Sequence, residues 1–432
     1  MLELSPWSRV LGFHSEVSDH SQAPMWKWKQ LGIVLLVTAM ALVAVNHGLN
    51  TRLQQQGCFG EIFSRDGQRH FSSRTSRPQR QDHSSKVYHN WELFSLDYEE
   101  MVKSFKVYVY PFGNSDYSQV FLPHPDPYDR KLGNFFSEHM FKINLLNSTF
   151  ATRDPGEAHL FFMPFSINAM RNHPRIRSEA MISSFVESYV EEISQRYKFW
   201  NRTEGVDHFY VGCHSVGRNA ASNSRALQQN AIQVTCSANY YQKLYVPHKD
   251  VALPQVWPRP LDTFIVPPEK RTKLAFFSGR AQNSHLRETL LKLWSNDSDM
   301  DIFAGTMQGS YEDALSRSKF CLHVKGYEVN TARISDALHF GCVPVIISNQ
   351  YDLPLSNVLN WRSFSIVLSY TQIPALKAKL QSVTHDEYAR LWSNGRRVKR
   401  HFGWHHSPRE YDSFQMTMYE LWSKRHFVRA PL

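Results

Sequence analysis

Residues Lys319–Ser348 read KFCLHVKGYEVNTARISDALHFGCVPVIIS, and this stretch decides the fold. Phe320–Val324 is an apolar run with the composition of a buried strand. A Gly326-Tyr327 turn follows, and Ile334, Ala337 and Leu338 then recur at helical spacing. A second apolar run, Cys342–Ile347, closes the unit. Strand, helix and strand at this length make a βαβ unit with parallel pairing. Ligands of such sheets lie beyond the C-terminal strand ends, where helix N-termini present free N–H groups. Asn330 or Thr331 is placed to cap the helix, with Arg333 in its first turn and Asp336 three residues on, on the same face. A cation there suits a pyrophosphate and a carboxylate one turn deeper suits a ribose diol; the same pair can also simply tie the helix down.

Outward from this unit, apolar runs and helical patterns alternate from residue 105 onward. Strands are expected at Phe105–Tyr110, Ala158–Phe165, Asp207–Cys213 and Ala231–Cys236, with helices near 130–146, 175–197 and 218–229. The Pro-rich stretch Pro254–Pro268 reads as a linker. A second series follows at Lys273–Ser278, Asp301–Ala304, Phe320–Val324, Val343–Ile347 and Ser363–Leu368, and helical patterns at 384–402 and 407–425 end the chain. The fold class is α/β, as two Rossmann-like lobes facing a cleft, residues 101–265 and 266–432.

Upstream, Leu31–Val45 carries no charge, and weaker apolarity continues to Leu49. Thirty residues precede it, too many for a cleaved signal peptide, and Trp26 and Trp28 sit at interface level. The expectation is a cytosolic tail (1–30), a transmembrane signal anchor (31–49) and a flexible lumenal stem (50–100) rich in Gln, Ser, Arg and His. Shorter spans of this kind suit the thinner membranes of the early secretory pathway. The formal net charge is +10, but the basic residues are dispersed and no nucleic-acid-binding motif is present, so an anionic small molecule or polymer other than nucleic acid accounts for the sign equally well. Five cysteines without C-x-x-C exclude a zinc ribbon and a disulfide-dense scaffold.

Six segments resemble the exostosin-like glycosyltransferases of the plant cell-wall branch. They are FKVYVYPF (105–112), TRDPGEAHLFFMPFS (152–166), KFWNRTEGVDHFYVGCH (198–214), LAFFSG (274–279), SKFCLHVKGYE (318–328) and GCVPVIISNQYDLPLSNVLNW (341–361). The resemblance covers residues 100–425 in order. It implies a GT-B-like architecture and a Golgi enzyme, single-pass type II, whose lumenal region transfers sugar from a nucleotide-diphosphate donor to a polysaccharide or other glycan with inversion. The last helix usually returns to the first lobe in that architecture. The chain departs from the family at His323-Val324-Lys325, where Cys-Pro-Ser is common, at Asp336, where Glu is common, and at Ser215, where Asp is common.

In the donor lobe the candidates are Gly279, Arg280, Arg287, Gly326, Tyr327, Glu328, Arg333 and Asp336: glycines for close backbone approach, arginines for phosphate, Tyr327 to stack on the base. In the acceptor lobe, His214 follows the C-terminal end of its strand and is the expected general base, with Asp207 at the strand start as the second candidate. Asp297-Ser298-Asp299-Met300-Asp301 contains the D-x-D pattern of metal-dependent transferases, but its place before a strand suits a solvated turn, and no metal or cofactor is expected. Cys213 and Cys236 end neighbouring strands and are expected to pair, leaving Cys321 and Cys342 as buried thiols. Cys58 can link protomers into homo-oligomers or assemblies with other wall glycosyltransferases. Asn147, Asn201 and Asn296 begin glycosylation sequons. Two other functions fit parts of the pattern. Cys213-His214-Ser215-Val216-Gly217 approximates the nucleophile elbow of a serine hydrolase without its first Gly. A membrane-tethered glycan-binding protein that has lost catalysis would tolerate the departures at Ser215 and Asp336.

Overall fold

The structure, a computed structural model, describes residues 87–111, 115–241, 245–260 and 263–425. The expected tail and anchor (1–49), Cys58 and most of the stem lie outside these residues. Among the described residues no helix is long and apolar enough to cross a membrane.

Among the described residues eleven strands form two sheets, every ladder within them parallel. The first contains β1 (Val107–Val109), β2 (Ala151–Thr152), β3 (Leu160–Phe162), β4 (His208–Gly212), β5 (Ile232–Thr235) and β6 (Val251–Ala252), in the order β2-β1-β3-β4-β5-β6. The second contains β7 (Lys273–Gly279), β8 (Met300–Ala304), β9 (Ser318–Val324), β10 (Val343–Ile347) and β11 (Ile366–Leu368), in the order β11-β10-β9-β7-β8. Strands buried on both faces must be apolar throughout, and β3, β5 and β10 are buried at every residue. The helix Arg333–His339 joins β9 to β10, the βαβ unit on which the fold reading rests.

Strand order fixes where a ligand can sit. The second sheet starts at β7, adds β8 on one side, then crosses to place β9 on the other. The first sheet does the same, with β2 on one side of β1 and β3 on the other. Loops leaving the two middle strands diverge there and open a crevice at the C-terminal edge. These switch points lie at β7/β9 and at β1/β3.

Two expectations about the fold need correction. Residues 87–100 are not stem: Trp91–Ser104 is a helix, capped by the Asn90 side chain and burying Phe94, Tyr98 and Met101 at i, i+4 and i+7. The terminal helix Ser413–Lys424 returns to the first sheet as the resemblance implied, with Phe414 packed on Phe141 and Phe150, and Trp422 on Phe105. Cys321 and Cys342 are bonded to each other (S–S 1.99 Å) rather than free thiols, because the neighbouring strands β9 and β10 bring their Cα atoms to 5.8 Å. The two-residue strands β2 and β6 had not been expected at all. Cys213 and Cys236 are also bonded (S–S 2.01 Å), joining the segments that follow β4 and β5.

Candidate active site

At the β7/β9 switch point two arginines flank one ring. Arg333, at the start of its helix, donates to the Ser278 carbonyl of β7 through Nε (3.1 Å) and Nη2 (2.6 Å). Arg287, on the helix His285–Trp294, donates to the Val324 carbonyl of β9 through Nε (3.2 Å) and Nη2 (3.1 Å). Their guanidiniums lie 5.4 and 5.7 Å from the centroid of Phe277. Neither forms an ion pair among the described residues. Arg287 is 3% exposed, and burial, reinforced by the Arg333 charge, lowers its pKa to about 10. Asp336 is the carboxylate that acts on Arg333 through space.

The glycines beside them make the approach possible. A Cβ on Gly326 would stand 2.6 Å from Arg287 Nη2, and one on Gly279 would stand 2.9 Å from the Phe277 ring and 3.0 Å from Arg333 Nη2. Any larger residue would displace a guanidinium. Thr331 Oγ1 accepts the Arg333 N–H (3.3 Å), but the N-cap position is Ala332, which has no side-chain cap, so neither Asn330 nor Thr331 is the capping residue expected. Tyr327 is 76% exposed beside Gly326, and Arg280 lies exposed beyond β7.

Two donor candidates are placed otherwise. Asp336 is buried, and its carboxylate is taken by Arg259 of the linker, Nε to Oδ1 (2.9 Å) and Nη2 to Oδ2 (3.1 Å). It locks the linker to the Arg333 helix instead of opening toward a ribose. Glu328 accepts the Ser237 hydroxyl from the segment after β5 and so ties the two sheets together. Ser335 Oγ to Gln255 O (2.7 Å) and Asn330 Nδ2 to Gln255 Oε1 (2.9 Å) hold the same junction.

On the first sheet, His214 is stacked on Phe135 with centroids 4.9 Å apart and planes at 11°. Its Nδ1 accepts the Val216 N–H (3.1 Å). In the neutral ring Nε2 therefore carries the proton, so the resting tautomer donates a hydrogen bond and does not accept a proton. That modifies the expected role of His214 as base. Burial, with Arg171 adding to it, lowers the His214 pKa to about 4. No carboxylate orients it among the described residues, so the hydrolase constellation is not assembled around Ser215.

Asp207 is at the wrong end. It precedes β4 while His214 follows it, so roughly 20 Å of extended chain separates them. Burial opposes its ionisation, but His208 (2.8 Å), Thr203 (2.6 Å) and Arg202 (2.6 Å) hold it below the ordinary carboxylate range. It fixes the strand start.

Glu138 escaped sequence reasoning. It is buried in the helix Phe136–Leu146 and accepts from Ser166 Oγ (2.6 Å) and the Cys213 N–H (3.0 Å), joining the loops after β3 and β4. Burial raises its pKa. Its helix also carries Ser137, His139, Lys142 and Asn144, so no pattern in the sequence singled it out. Trp257, 38% exposed, was missed too; its Nε1 donates to Asn134 Oδ1 (2.8 Å) and fixes the ring beside Gly133 and Arg259.

In the Asp297–Asp301 run, Lys377 contacts Asp297 and Asp299 at 2.7 Å each, and Arg317 contacts Asp301 at 2.6 Å. Each carboxylate thus has a cationic side-chain partner. Asn147, Asn201 and Asn296 are all exposed.

The family described as "Exostosin GT47 domain" matches residues 101–383. A probable glycosyltransferase of Arabidopsis thaliana is 34% identical over 378 residues, covering 84% of this chain and 78% of its own. A probable glucuronosyltransferase of Oryza sativa subsp. japonica is 25% identical over 305 residues, covering 66% of this chain and 69% of its own. Among solved structures, TarM aligns over 56% of this chain and 58% of its own at TM-score 0.31 and 8% identity, too distant a likeness to bear on function.

Proposed function

Since the chain belongs to the exostosin GT47 family of glycosyltransferases, we propose that it moves a sugar from a nucleotide-diphosphate donor onto a cell-wall polysaccharide or glycan, with inversion and without a divalent metal. The observation that carries the donor side is the Arg287–Arg333 pair at the β7/β9 switch point, two cations with no ion-pair partner among the described residues. A diphosphate placed there is neutralised before reaction, and charge developing on the leaving group meets donors already in position. Arg333, half-buried, makes the direct contact. Arg287 lies deeper, under Gly326, and sets the potential.

The acceptor approaches from the first sheet. Its hydroxyl oxygen accepts from His214 Nε2–H, which holds a lone pair toward the anomeric carbon while Phe135 keeps the imidazole plane fixed. As that oxygen bonds the anomeric carbon, the bond to the diphosphate breaks, the diphosphate leaves toward Arg333, and the hydroxyl proton passes to solvent water. Trp257 offers a ring face to a sugar at the same edge.

The test is turnover. Purified full-length chain is incubated with UDP- and GDP-linked sugars and wall-glycan acceptors in excess chelator. At least one donor–acceptor pair should give product, with the anomeric configuration opposite to the donor's. Activity that needs added Mn²⁺ would overturn the metal-free part. Nucleotide binding without turnover on any acceptor would favour the glycan-binding alternative.

We place the enzyme in the Golgi membrane with the described residues lumenal, anchored by residues 31–49. Two disulfides suit an oxidising compartment, and three exposed sequons suit a lumenal surface. Peptide N-glycosidase should then increase the gel mobility of the plant-expressed protein. Unchanged mobility, with no glycan at Asn147, Asn201 or Asn296, would argue against this placement.

A further inference from the structure

The first sheet has a crevice at its own switch point, and the donor reaction does not use it. A cavity of about 410 Å³ lies between the segment that follows β1 and the helix Glu179–Arg196, reached from β3 through the short helix Ile167–Arg171. Its volume falls in the range of roughly 300–1,000 Å³ typical of small-molecule sites.

Its walls have two characters. Along the helix, Ser184, Ser188 and Glu192 recur every four residues and make a polar stripe about 12 Å long. Beside it, Met181 and Phe185 make an apolar stripe, and Met181 is 44% exposed. Across the cavity stands Tyr117, its ring 5.1 Å from that of Phe185. The two charged residues of the lining are each held in an ion pair, Arg175 with Asp116 and Glu192 with Arg196, both at 2.7 Å. Rings beside a row of hydroxyls, with charges that balance, match a neutral sugar chain. Such a chain has apolar C–H faces and equatorial hydroxyls along one length. A nucleotide would want net positive charge, and an acyl chain would leave the serines unpaired.

We propose that this cavity is a remote acceptor subsite, which holds a neutral glycan chain several sugars away from the residue being extended. The inference rests on the acceptor reading above. The cavity is lined by segments that follow β1 and β3, and His214 follows β4, the strand paired with β3, so the occupant must be a chain of several sugars that spans from one to the other. Binding energy from a remote subsite gives preference for long acceptors.

The probes are β-1,4-linked cello-, xylo- and manno-oligosaccharides, from disaccharide to hexasaccharide, titrated into the full chain. The hexasaccharide of at least one series should bind about tenfold more tightly than its disaccharide, the factor that 1.4 kcal/mol supplies. Ser188→Trp fills the cavity from an exposed helix position without touching the core. It should abolish that tenfold gain while disaccharide and nucleotide-diphosphate binding stay unchanged. Phe185→Ala should act in the same direction and serves as the second variant. Hexasaccharide binding that survives Ser188→Trp, or a wild type that binds nucleotide diphosphate but none of the three series beyond the disaccharide level, overturns the proposal. Absence of nucleotide binding in the wild type would instead strike the transferase reading itself.

Discussion

His214→Ala lowers kcat by about two orders of magnitude and leaves the donor KM nearly unchanged. The loss is that of a group that positions the attacking oxygen, where a misplacement of about 1 Å costs roughly 10²-fold in rate. The KM stays because the imidazole touches the acceptor and not the nucleotide. pH dependence separates this role from that of a base titrating near neutrality. Burial puts the His214 pKa at about 4, below its ordinary value. The neutral ring is therefore present above that value and is lost as pH falls through about 4. Protonation places a hydrogen on Nδ1, where the Val216 N–H now donates, and breaks the contact that sets the tautomer. Steady-state kinetics from pH 5 to 8 should show no inflection assignable to His214. An inflection near 6.5 that disappears in His214→Ala would show a ring that titrates freely and would refute the assigned tautomer.

Arg333→Ala weakens nucleotide-diphosphate binding ten- to a hundredfold. A charge-assisted hydrogen bond is worth about 1.5–3 kcal/mol, which is that range of affinity. The lobe should stay folded, because Arg333 is half-buried and its partner, the Ser278 carbonyl, can take water in its place. Arg287→Ala is the poorer probe. It empties a buried site, removes both donors from the Val324 carbonyl and exposes one side of Phe277. Arg333→Lys should restore only part of the affinity, since a single ammonium cannot bond to Ser278 and also present a planar fork to a phosphate. Full affinity in Arg333→Ala, measured by fluorescence competition with the thermal midpoint unchanged, would remove the residue from the site.

The alternation of apolar runs with helical patterns carried most of the fold. Phe320–Val324, Arg333–His339 and Val343–Ile347 lie where their spacing places them, because local burial and local period agree there. Elements whose evidence is tertiary stayed hidden. β2 and β6 have two residues each, too few to show a period. The helix Trp91–Ser104 buries only a narrow stripe and carries polar residues elsewhere, so its composition resembles that of the stem. The Cys321–Cys342 bond depends on the placement of β9 beside β10, which neither cysteine reveals alone.

The site divides in the same way. Arg287 and Arg333 were legible as cations near strand ends, since that much follows from chain order. What Asp336 does was not legible, because Arg259 lies 77 residues upstream and only the packed linker brings the two together. The tautomer of His214 is set by the backbone two residues on, and the role of Glu138 by loops far from it in sequence. Sequence pattern finds candidate chemistry at strand ends. Which groups are free to act depends on partners that folding supplies.

The account stands on the two arginines, so calorimetric titration of UDP and GDP into the wild type and into Arg287→Lys/Arg333→Ala, in excess chelator, tests it most directly. Lysine at 287 keeps the charge and the stem in the core but cannot bond to Val324 and fork toward a phosphate at once. The wild type should bind at least one of the two nucleotides without metal, and the double variant should bind it at least about a hundredfold more weakly with its thermal midpoint preserved. Equal affinity in the two proteins, or wild-type binding that appears only after Mn²⁺ is added, would contradict the metal-free two-arginine donor site.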